Sequence, residues 1–94
     1  MPPTAQPPAS RTAPPPPTLR LSASERGRRY VVVAVEGDDA IAQRLLASGL
    51  WVGAGIECIG QAPFGDPRLF RLHGFRLALR ASEAARVTVA EASA

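Results

Sequence analysis

The 94-residue chain contains one cysteine, one histidine, one tryptophan and no lysine. Cys58 has no partner with which to close an internal disulfide or build a CxxC metal knuckle, which points to a reducing compartment. No apolar run approaches the ~18 residues that a membrane-spanning helix requires, so no direct membrane insertion is expected. The N-terminus lacks the apolar core of a secretory signal, and the expected location is cytoplasmic. No glycine run precedes a lysine as in a phosphate-binding loop, and no GxSxG nucleophile elbow occurs. The sequence therefore argues against an enzyme.

Because lysine is absent, all eleven basic side chains are Arg; against eight acids they leave a net charge of +3. That surplus is small and the acids are interspersed, a pattern of solubility rather than of a dedicated phosphate-binding surface. Proline is plentiful but confined, with eight of the ten lying before Thr18. Residues 1–18, "MPPTAQPPASRTAPPPPT", are low in complexity and offer no large hydrophobic side chain to bury after Met1. They read as a disordered, polyproline-II-prone tail. Its one PxxP, Pro14 to Pro17 with Arg20 downstream, suits either an SH3 ligand or a plain spacer. Residues 19–91 form the folded domain. A unit of that size hides only about 60% of its unfolded surface, so it needs a compact architecture with short loops.

From Leu19 onward eight glycines punctuate short apolar stretches, the rhythm of a small β domain. "RRYVVVAVE" (Arg28 to Glu36) is β-branched and reads as a central strand. "AGIECIGQA", "PRLFRLH", "FRLALR" and "RVTVAE" follow as four more, the third and fourth strands joined by a tight turn at His73 and Gly74. Five short strands suggest a bent barrel rather than a flat sheet with two long open edges. "GDDAIAQRLLASGL" interrupts them between the first and second strands. It predicts a helix of about three turns, capped by Asp38 or Asp39, with Ile41, Ala42, Leu45 and Leu46 on one stripe and Gly49 as its stop. A capping-box pattern predicts a single turn over Ser22 to Glu25, and Ser82 is placed to cap a short turn over "EAAR".

The stretch "RLLASGLWVGAGIECIGQAPFGDPRLFRLHGFRLALRASEAARVTV" resembles the FeoA family, over about Leu19 to Val89. Four features carry the likeness in combination: the helix end with Gly49 and Leu50, the turn glycine Gly53, the "APFGDP" loop at Ala62 to Pro67, and "ALRASEA" at Ala78 to Ala84. The resemblance implies an SH3-like five-stranded barrel with the helix packed at one side. It also implies a cytosolic accessory role in ferrous iron uptake, as a non-catalytic interaction module for the FeoB membrane transporter. The same fold forms the C-terminal domain of DtxR-type iron-dependent repressors, so a transition-metal-binding regulatory domain is the alternative, with weak Fe2+ or other divalent metal as its ligand. The family usually has Pro before the turn glycine where this chain has Val52, which leaves the turn resting on Gly53.

Alternation places Phe70, Leu72, Phe75, Leu77 and Leu79 inward and Arg71, Arg76 and Arg80 on a shared outer face. That face is either a docking surface for an acidic partner, such as the cytosolic part of the transporter, or the solvated side of a sheet. Nucleic acid is not expected, because single-strand binders interleave exposed aromatics with their charges and this face offers none. Trp51 follows the helix stop in a glycine-rich connection. Leu50, Trp51, Val52 and Gly53 are accordingly the candidate partner contact, or Trp51 folds back over the helix as a lid. Cys58 is expected to point into the core and His73 to be a solvated turn residue. No pair has ligand spacing, so no metal site and no resident cofactor is assigned. "APFGDP" reads as a structural turn, Asp66 bonding the turn's own backbone. Exposed sheet edges leave self-association open.

Overall fold

The computed structural model describes residues 17–92; most of the Pro-rich tail lies outside them. Six strands form one antiparallel sheet: β1 (Thr18–Arg20), β2 (Arg29–Val35), β3 (Gly55–Gln61), β4 (Arg68–Leu72), β5 (Phe75–Leu79) and β6 (Val87–Glu91). Their spatial order is β1-β6-β2-β3-β4-β5, so β1 and β5 are the edges. The expected five strands are all present, but β1 precedes them. This corrects two expectations. Thr18 belongs to the sheet, not to the tail, and the main helix lies between the second and third strands. A three-residue strand is too short to show a period of two, which is why alternation missed it.

The helix α1 (Ala40–Ala47) has eight residues, fewer than three full turns. Asp39 is its cap, accepting a hydrogen bond from the Ala42 amide at 3.2 Å. Of the expected stripe, Ala42 and Leu45 are buried while Ile41 and Leu46 remain exposed. A short second helix, α2 (Ala81–Ala84), starts one residue before Ser82. Arg80 is the cap residue instead, and its amide donates to the Glu83 carboxylate at 2.9 Å. The turn expected over Ser22 to Glu25 is a 3₁₀ turn at Leu21–Ala23, closed by the Ser24 hydroxyl donating to the Leu21 carbonyl at 2.7 Å.

Phe70 sits fully buried at the centre of the core, with Leu21, Leu45, Leu72, Val87 and Val89. Register shifts interrupt the β2–β6 pairing between Val32 and Ala34 and the β3–β4 pairing between Cys58 and Gly60. Such bulges bend a strand and increase its twist, which lets short strands wrap a single small core. Cys58 is buried, as expected of a small hydrophobe. Among the described residues no helix is long and apolar enough to cross a membrane.

Candidate functional site

Gly49 ends α1 with φ of 107°, the left-handed conformation that a helix stop uses and that glycine adopts without a Cβ penalty. The chain then sends Leu50 into the core, where it is 0% exposed, and turns outward. Trp51 to Ala54 form a turn closed by the Ala54 amide on the Trp51 carbonyl at 3.0 Å. Gly53 takes φ of 94° at the third position of that turn, as a type II turn requires. Its amide also donates to the Val32 carbonyl at 2.8 Å, tying the turn to β2. Trp51 and Val52 are left 53% and 71% exposed.

A second loop meets this one. His73 and Gly74, between β4 and β5, have φ of 52° and 83°, the pair of positive angles that a two-residue hairpin turn demands. His73 Nε2 lies 3.0 Å from the Gly49 carbonyl oxygen. A carbonyl only accepts, so Nε2 carries the proton and donates. The imidazole then lies 4.8 Å from the Trp51 ring, centroid to centroid, and 6.3 Å from Phe75. Phe75, expected to face inward, pairs with Leu72 on the edge strand and stays 45% exposed. Trp51 and Val52 from one loop, His73 from the other and Phe75 from the start of β5 thus make one apolar and aromatic patch.

Two sequence expectations change here. Leu50 offers no surface to a partner, because the residue after a helix stop packs back onto the helix. His73 is not merely a solvated turn residue, because its ring bridges Gly49 and Trp51. Trp51 is exposed, as the first of its two expected places requires, with its ring resting beside His73.

Cross-strand register sets the Arg face. Arg29, Glu57, Arg71 and Arg76 pair successively across β2, β3, β4 and β5, forming one row of three cations and one carboxylate. Arg71 reaches Glu57 at 4.0 Å, and Arg29 and Arg76 make no ion pair among the described residues. Directly opposed like charges such as Arg71 and Arg76 repel. Arg80 lies past the end of β5 as the cap of α2, four residues from Arg76 and apart from this row.

Elsewhere Arg20, Arg28, Arg44 and Arg86 are matched by carboxylates. Arg86 forms a two-pronged pair with Asp39, at 2.5 and 2.8 Å. That hydrogen bonding, with the Ala42 amide, lowers the Asp39 pKa to about 2. Arg28 pairs with Glu91 and Glu25, which raises its own pKa. Among the described residues no group of three or more His, Cys, Asp or Glu side chains is placed to hold a metal ion.

The "APFGDP" loop is a turn, its Gly65 amide donating to the Ala62 carbonyl at 2.7 Å. Asp66, however, accepts from the Ala81 amide at 2.8 Å rather than from its own turn. The loop also holds Phe64 out at 96% exposure, which alternation could not reveal because the residue lies outside any strand.

Residues 19–91 match the family model of the FeoA domain. A curated relative, the Fe(2+) transport protein A/Fe(2+) transporter FeoB fusion protein of Porphyromonas gingivalis, is 34% identical over 71 residues, 76% of this chain. The chain spans only 8% of that relative's length. Among solved structures, Stenotrophomonas maltophilia FeoA complexed with zinc, described as a procaryotic SH3 domain protein, is 36% identical with a TM-score of 0.68, covering 76% of this chain and 88% of that one. A manganese-dependent transcriptional repressor shares the fold, with a TM-score of 0.74 at 17% identity, covering 92% of this chain and 48% of its own.

Proposed function

The chain belongs to the FeoA domain family, which is associated with ferrous iron transport, and we propose that it is a non-catalytic, cytoplasmic accessory module docking on the cytosolic part of a FeoB-type transporter. The observation that carries this reading is the P. gingivalis relative in which both proteins are a single chain. Fusion of two polypeptides keeps one at high effective concentration beside the other, which is useful when the two must touch. Trp51, Val52 and Gly53, with His73 and Phe75 around them, supply the aromatic anchor. Arg71 and Arg76, and more remotely Arg80, draw an acidic surface toward it.

The test is an anaerobic titration of the purified protein against the full-length transporter and its isolated soluble domain, with and without ferrous iron. Saturable binding that weakens at least tenfold with Trp51→Ala is the expected result. Unchanged binding by that variant moves the contact elsewhere, and no binding to either form overturns the reading. The zinc in the S. maltophilia structure favours a second reading, a metal-responsive regulatory domain. Stoichiometric ferrous iron uptake by the free protein, without transporter binding, is the outcome that would select it.

A further inference from the structure

The outer face of the sheet carries a shallow cleft of ≈ 290 Å³, bordered by Arg29, Val31, Gly55, Glu57, Arg71 and His73. Its position follows from register. Thr18 pairs with Ala90, Ala90 with Val31 and Val31 with Gly55. Ile56 pairs with Leu72, which sets Gly55 beside His73. Paired residues share a face, so one row runs from Thr18 across the sheet to His73, and Trp51 stands at its far end. The floor is Val31 and Gly55. A Cβ on Gly55 would meet nothing within 4 Å, so the space above it is open.

We propose that the Pro-rich segment of this same chain, residues 1–16, lies across this cleft and packs against His73 and Trp51. The segment joins the sheet at Thr18, the near end of the row. Four strand spacings separate Thr18 from His73, roughly 19 Å. Sixteen residues in polyproline II span roughly 50 Å, more than twice that distance.

The chemistry matches as well as the reach. Prolines offer carbonyl acceptors and no amide donors, while Arg29, Arg71 and the Trp51 indole are donors only. The segment contains Arg11 and no acid, so it brings no carboxylate to the arginines and meets the cleft through ring packing and carbonyl acceptors. Proline rings stack on exposed aromatics, and a polyproline II segment loses little entropy on docking. Because the Trp51 end of the cleft is also the proposed transporter contact, the segment and the transporter would compete there. The cleft proposal itself does not depend on that reading and is tested without the transporter.

Cys58 is the chain's one cysteine and is buried, so a Ser10→Cys variant takes a nitroxide spin label at one position. Ser10 lies eight residues before Thr18, about 25 Å of polyproline II, which sets the label near His73. Amide NMR signals of Val31, Gly55 and His73 should broaden in the labelled full-length chain, while those of Phe64 and Ser82 stay sharp. Replacing Pro14, Pro15 and Pro16 by Ser in the labelled chain should abolish the broadening at His73. Gly55→Leu, which fills the cleft, should do the same. Broadening confined to β1 and β6, or unchanged by both sets of substitutions, overturns the proposal. Broadening seen only between separate labelled and isotope-enriched chains also overturns it, placing a second copy's segment in the cleft.

Discussion

The Trp51 and His73 rings lie 4.8 Å apart, tilted by 33°, although 21 residues separate them in the chain. The imidazole is fixed at its other side by the Gly49 carbonyl, so the indole rests on a side chain that is itself anchored to the helix stop. Trp51 is the protein's one tryptophan, which makes its fluorescence a direct probe of this contact. His73→Asn should preserve the hairpin, because Asn tolerates positive φ and Asn-Gly suits a two-residue turn. It should nevertheless shift Trp51 emission to the red and raise its collisional quenching. An unchanged emission spectrum with an unchanged melting curve would show that the two rings do not support each other.

Leu50 and Trp51 are neighbours in sequence with opposite expected behaviour. Leu50 is fully buried, and truncating such a side chain costs about 2–5 kcal/mol. A core in a domain this small supplies only ~3–5 kcal/mol of net stability. Leu50→Ala should therefore be largely unfolded or lose most of its denaturation midpoint. Trp51→Ala should melt close to the parent and lose partner binding instead. Urea titration of the two variants in parallel checks this, and equal midpoints would contradict the burial pattern.

What the sequence disclosed follows from which signals are local. The β2 to β6 strands carry β-branched and apolar residues long enough to show their period, and Asp39 and Gly49 mark the helix ends by their own chemistry. β1 could not be read because its three residues gain their place from pairing with β6, a contact more than sixty positions away. The proposed docking residues were half legible. Trp51 could be suspected from its glycine-rich setting, and Arg71 and Arg76 from alternation. The roles of His73 and Phe75 depend on two loops meeting, and Leu50 is drawn inward by α1. No local pattern encodes either.

Gly49 has two separate reasons to be glycine. Its φ of 107° disfavours any L side chain, and a Cβ there would lie 2.8 Å from the His73 ring. Gly49→Ala should cost about 1–2 kcal/mol from the backbone alone, and the imidazole must also shift. A lowered urea midpoint together with altered Trp51 emission is expected. Loss of stability with unaltered emission would mean that the ring accommodates the methyl group, and an unchanged midpoint would contradict the strained backbone.

Asp39 joins two elements, capping α1 and holding Arg86 just before β6. Its pKa is depressed to about 2 from 3.8, first by the Arg86 hydrogen bonds and then by the Ala42 amide. A depressed carboxylate stabilises the folded state above its unfolded pKa, and that contribution is lost as pH falls through the folded value. The window is therefore about pH 4 down to about pH 2. Asp39→Asn keeps an oxygen acceptor for the Ala42 amide but removes the charge that Arg86 grips. The variant should be less stable than the parent at neutral pH, with the two urea midpoints converging as pH falls through this window. Taking the difference between parent and variant cancels contributions to the pH dependence that the two chains share. Midpoints that ran parallel from pH 7 to pH 2 would show that Arg86 does not discriminate between the charged and neutral forms of Asp39.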